Sequence, residues 1–131
     1  MPVKQITVFL ENQTGRLADV TRILSNENIN LQGFSTTEAR DYGILRLIVS
    51  DVERAKEVLK SAGFTTHIAD VICIAVEDKT GELHRVLDIL AGESVNIDYI
   101  YVIAKTRIVL SVADIEETEN ILKKNNVRLC N

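Results

Sequence analysis

The chain has 131 residues, the span of one ordinary domain or of two small ones sharing an interface, and 46% hydrophobic with 26% charged residues suits a packed core and excludes disorder. A formal charge of −4 without Lys/Arg clusters sets nucleic acid aside as a partner, because phosphate binding needs concentrated positive charge. No apolar run reaches the roughly 20 residues of a membrane span, and the N-terminus lacks the order of a signal peptide, so no membrane partner and a cytoplasmic setting are expected.

"VKQITVFL" is rich in β-branched residues and predicts a strand from Val3 to Leu10, broken by Glu11-Asn12-Gln13-Thr14-Gly15. Leu17, Val20, Ile23 and Leu24 recur at helical spacing, with Asn12 or Thr14 expected to cap the first turn and the helix expected to end near Asn28. "INLQGFSTTEA" and "GILRLIVS" flank Arg40-Asp41-Tyr42-Gly43 as a hairpin, and Val52, Ala55, Val58 and Leu59 share one face of a second helix that Gly63 stops. "FTTHIA" closes a strand-helix-strand-strand-helix-strand order, the split β-α-β unit of ferredoxin-like folds. The second half repeats that order with "DVICIAVE", a Gly81 to Glu93 helix, "VNIDYIYVIA", "RIVLSVA", an Ile115 to Lys124 helix and "VRLC". The fold class is therefore α+β, two βαββαβ units divided at 1–68 and 69–131 without a Gly/Ser/Pro linker, with their antiparallel sheets expected to pack together. Val71 to Val76 leaves neither face of its strand polar, so a covered outer face, and with it a homodimer, is expected.

"ENQTGRLADVTRILSNENIN" returns 66 positions later as "EDKTGELHRVLDILAGESVN", superposing Glu11 on Glu77, Gly15 on Gly81, Leu24 on Leu90 and Asn30 on Asn96. Any two amphipathic helices share apolar spacing; the repeated polar word at both helix ends needs a further cause. A helix N-terminus presents unpaired amides and partial positive charge, which suit an anion such as an amino acid's α-carboxylate. Gly15 and Gly81 would let such a ligand approach the backbone, and Asn30 and Asn96 can both donate and accept. Caps and turns use the same residue types for purely structural ends.

These stretches resemble the ligand loop, first helix and second strand of ACT domains, small amino-acid-sensing modules of metabolic regulation, over nearly the whole chain. Thr14 and Thr80 stand where that family often has Pro. The resemblance implies helices on one face of paired sheets, and a free amino acid bound between two units with no cofactor. The residues it implicates are Asn12, Gln13, Thr14, Gly15, Arg16, Leu17 and Asn30 in the first half. In the second they are Asp78, Lys79, Thr80, Gly81, Glu82, Leu83 and Asn96. It further implies a non-enzymatic regulator of a partner enzyme of amino-acid metabolism, or a regulatory subunit or scaffold like the acetolactate synthase small subunit. Neutral Asn12 against ionised Asp78 makes the first loop the expected carboxylate site, because Asp78 would occupy the helix amides itself and repel the ligand.

Other constellations are weaker. His67 and His84 lack metal-ligand neighbours, Cys73 and Cys130 lack C-x-x-C spacing and are read as core residues, and no catalytic arrangement emerges. Tyr99 and Tyr101 share a strand face but lack the basic surroundings of an RNA-binding sheet, which favours packing.

Overall fold

The computed structural model describes residues 2–11, 13–38, 40–104 and 106–130. Seven strands and four helices follow in the order β1 (Val3–Glu11), α1 (Arg16–Asn26), β2 (Leu31–Glu38), β3 (Tyr42–Val49), α2 (Val52–Ser61), β4 (Thr65–Ala75), α3 (Glu82–Gly92), β5 (Ile97–Ala104), β6 (Arg107–Val112), α4 (Ile115–Lys124) and β7 (Arg128–Leu129). The chain divides into two compact units, Lys4–Ala69 and one built on Asp70–Asn131. In the first the strands lie in the order β2-β3-β1-β4; in the second, β5-β6-β4-β7. The two strands read from "FTTHIA" and "DVICIAVE" are one element, β4, so the boundary falls inside a strand. β-branched residues continue through Ile68-Ala69-Asp70-Val71, and nothing there breaks the extended backbone.

Each unit buries one face of its strands under two helices. In the first, Ile6 and Val8 of β1, with Leu45 and Leu47 of β3, meet Val20 and Leu24 of α1 and Ala55 and Leu59 of α2. In the second, Ile72, Ile74, Ile108 and Leu110 meet Val86, Leu90 and Leu122. Period two in the strands and 3.6 in the helices puts these residues on facing surfaces. The register agrees: Ile6 pairs with Leu47 and Val8 with Leu45, and paired residues share a face.

All four helices end alike, in a residue of positive φ followed by an apolar one. Asn28 (φ 58°), Gly63 (91°), Ser94 (58°) and Asn126 (61°) turn the chain. The next amide then returns to the last turn: Ile29 to Leu24 O at 2.9 Å, Phe64 to Leu59 O at 3.0 Å, Val95 to Leu90 O at 2.9 Å and Val127 to Leu122 O at 2.9 Å. This closure satisfies orphan carbonyls and brings an apolar side chain back against the core. At the other end, Asp51 and Asp114 cap α2 and α4 by accepting from Arg54 N at 3.1 Å and Glu117 N at 3.0 Å.

Two sequence expectations change. Val71, Cys73 and Val109 lie on the strand face away from the helices, yet all are buried within the single chain, so the covered face does not by itself call for a second copy. Cys73 and Cys130 are joined in a disulfide, rather than being separate core thiols. The backbone brings them together: Cys130 N donates to Cys73 O at 2.8 Å, leaving Cα atoms 5.1 Å apart, the separation a disulfide spans. The bond links residues 57 apart in sequence. Replacing both cysteines by Ser is expected to lower the unfolding free energy by roughly 2–4 kcal/mol. Urea titrations of the oxidised chain and the double variant measure this; an unchanged midpoint contradicts it.

Candidate functional site

The two repeated loops have the same backbone. Between β1 and α1, Gln13 N donates to Glu11 O at 2.8 Å, Arg16 N to Gln13 O at 3.4 Å, and Asp19 N to Gly15 O at 2.9 Å as the first helical bond. Between β4 and α3, Lys79 N donates to Glu77 O at 2.9 Å, Glu82 N to Lys79 O at 3.3 Å, and Arg85 N to Gly81 O at 2.9 Å. Gly15 (φ 89°, ψ −4°) and Gly81 (φ 87°, ψ −6°) occupy the cap positions in the left-handed region. A Cβ added at either would meet nothing within 4 Å, so these positions need glycine for its dihedrals.

The cap expected of Thr14 does not form. The cap residue of both α1 and α3 is glycine, so neither has a side-chain capping hydrogen bond from its cap position, and Asn12 lies outside the described residues. The reason is positional, since glycine takes the cap place and has no side chain to offer, while Thr14 and Thr80 precede it and are exposed.

Charge separates what the backbone makes equal. Arg16 opens α1 and lies 3.5 Å from both Glu11 and Asp19. At the matching places α3 carries Glu82 and Arg85, 3.4 Å apart, so the pair is reversed. Lys79 does not fold over Asp78: it lies 3.1 Å from Glu77 and 4.0 Å from Glu82, and Glu77's hydrogen bond and charge, then Glu82's charge, raise its pKa above the ordinary lysine value. A negative charge at a helix start favours the helix and disfavours a second anion; Glu82 stands at the first position of α3, whereas in α1 the first-turn acid is Asp19.

Leu17 and Leu83 are exposed at the first turns of α1 and α3. Asn30 and Asn96 are not brought to their own loops, because each follows the far end of an 11-residue helix, about 16 Å away at 1.5 Å per residue. Asn30 exchanges backbone bonds with Ser50, its N donating to Ser50 Oγ at 2.9 Å and its O accepting from Ser50 N at 3.0 Å. Asn96 Nδ2 donates to Asp98 Oδ1 at 3.3 Å. A cleft of about 310 Å³ adjoins Asn30, between α1 and the start of β2. Beside each loop lies another cleft of about 290 Å³, reached by Arg16 in the first unit and Glu82 in the second but lined by neither loop glycine. The first of these, walled by Phe9, Tyr42 and Phe64, is absent from the sequence reading. Among the described residues no group of His, Cys, Asp and Glu is arranged to hold a metal ion, and no helix is long and apolar enough to cross a membrane.

Residues 1–130 match the profile of a family described as an ACT domain pair. The chain belongs to the ACT domain pair family. ACT pairs are regulatory, and this chain is an ACT-domain regulatory protein. A crystal structure of a protein from Bacteroides thetaiotaomicron is 39% identical, with 99% of this chain and 92% of that one covered and a TM-score of 0.94. The regulatory subunit of aspartate kinase from Thermus thermophilus, in a ligand-free form, is 17% identical over 94% of this chain and 90% of its own, with a TM-score of 0.71. Its counterpart from Thermus flavus is also 17% identical over the same shares, with a TM-score of 0.68, and these two likenesses are of fold. No curated protein matches.

Because the two cap glycines have nearly the same dihedrals and open surroundings, Gly15→Ala and Gly81→Ala should each destabilise by about 1 kcal/mol, and by similar amounts. Denaturant titration without ligand measures both. A neutral change at either position contradicts the left-handed cap.

Proposed function

We propose that this ACT pair senses a free amino acid whose α-carboxylate binds at the start of α1, and that occupancy changes how the chain acts on a partner enzyme of amino-acid metabolism. The supporting observation is that α1 begins at a left-handed Gly15 with no side-chain capping bond and carries Arg16 at its first position. Backbone amides and the helix dipole then favour an anion from outside. The site is completed by an Asn30 or Asn96 side chain from a neighbouring unit, because each Asn sits far from its own loop. The ACT units regulate and do not catalyse.

Addition of the cognate amino acid at a hundredfold excess over its Kd should stabilise the native state by about 2.7 kcal/mol, seen as a rise in melting temperature in a screen of the twenty amino acids. No rise with any of them replaces sensing by the regulatory-subunit reading. With a ligand in hand, Asn12→Asp should weaken binding about tenfold or more, equivalent to roughly 1.4 kcal/mol, while Asp78→Asn should not weaken it. Equal losses by calorimetry would remove the preference for the first loop.

The neighbouring unit is supplied by a second copy of the chain. Edge strands β2 and β5 expose Phe34 at 58%, Ile100 at 40% and Val102 at 59%, and an unpaired apolar edge favours strand or side-chain contact with another chain. Sedimentation at tens of micromolar should give a homodimer; a species of only 14.6 kDa rejects it.

A further inference from the structure

We propose that the cleft beside Arg16 in the Lys4–Ala69 unit is a second ligand site, for an organic cation: an ammonium group attached to a flat apolar body. The cleft is lined by none of Gln13, Thr14 and Gly15, and it shares Arg16 with the loop reading. Its walls hold three of the chain's few aromatic residues, in a sequence with three Phe, three Tyr and no Trp. Phe9 and Tyr42 form one wall, their ring centroids 6.0 Å apart and tilted by 59°, and they remain 36% and 43% exposed. Phe64 also lines the cleft, with the Arg16 guanidinium carbon 5.6 Å from its ring centre. One aromatic face of the cleft is thus already stacked against a cation, the arrangement that ring quadrupoles favour.

The charges also select a cation. Arg16 is the positive group of the lining, and Asp19 on α1, 3.5 Å away, offsets it from outside the cleft. Glu11, paired to Tyr42 across the strands, and Asp41 then leave two carboxylates at the rim. Among the described residues Asp41 has no ion-pair partner, whereas Glu11 lies 3.5 Å from Arg16. Within the cleft an ammonium would meet aromatic faces and the Asp41 carboxylate together.

The second unit supplies an internal comparison. Its corresponding cleft has the same volume, about 290 Å³, but Ala75 and Val127 replace Phe9 and Phe64, and Glu82 replaces Arg16. Lys105, the sequence counterpart of Tyr42, lies outside the described residues. The backbone concavity therefore belongs to the fold, while the aromatic walls belong to the first unit alone.

Amide NMR titrations of the full chain with phenethylamine, 3-phenylpropionate and L-phenylalanine test the assignment. Phenethylamine should give saturable shifts at Tyr42, Gly63, Phe64 and Thr65 and none at Asn126, Val127 and Arg128; 3-phenylpropionate should leave both sets unmoved. Phe9→Ala, which copies the residue of the second unit, and Asp41→Asn should each raise the phenethylamine Kd about fivefold or more, with the remaining spectrum unchanged to show that the variants fold. Equal response to the anion, equal response in both units, or wild-type affinity in the two folded variants overturns the proposal. So does L-phenylalanine binding the first cleft more tightly than the amine, which would make it a zwitterion site.

Discussion

A left-handed glycine at the start of α1 and again at the start of α3 is the constraint on which the rest of the site depends. A residue with a Cβ pays for that conformation in steric energy, and a polar cap residue would place its own oxygen on the helix amides. Glycine avoids both effects. α2 and α4 begin the opposite way, with Asp51 and Asp114 bonded to their own first-turn amides. Within one chain, then, two helix starts are closed by carboxylates and two are left without a side-chain cap. The two without one are those that the repeated word precedes.

The two units repeat a backbone and differ in chemistry. Loop hydrogen bonds, helix lengths and helix ends agree between the units, down to the return bond from the residue after each positive-φ turn. Electrostatics do not agree: Arg16 with Asp19 in one unit faces Glu82 with Arg85 in the other. Both pairs are good for solubility and helix geometry, so stability alone does not choose between them. A difference of ligand would.

Much of the fold was legible because its determinants are local. Ile115 to Lys124 was readable to the residue, since Asp114 caps it and Asn126 ends it. The continuous β4 was not legible, because a boundary between units leaves no mark when the backbone stays extended through Ala69 and Asp70. Nor was the Cys73–Cys130 bond, whose partners meet only when the end of the chain returns beside β4. Gln5 and Thr7 are polar residues of β1 that the fold buries, with Gln5 Nε2 donating to Thr7 Oγ1 at 3.3 Å. At the candidate site the sequence marked the loops but offered Asn12 or Thr14 as the cap of α1, because propensity names the residue types that cap and not the one, Gly15, that occupies the cap position. The aromatic cleft escaped because Phe9, Tyr42 and Phe64 come from three separate elements.

The central claim is that the first-turn amides of α1 receive a ligand's carboxylate. Its most direct measurement is the position of the Leu17 and Ala18 amide resonances while each L-amino acid is added to saturation. A carboxylate bound there should move both for at least one amino acid, with smaller movements at Leu83 and His84 at the start of α3. If all twenty leave Leu17 and Ala18 in place, or if the α3 amides respond more strongly, the account is contradicted.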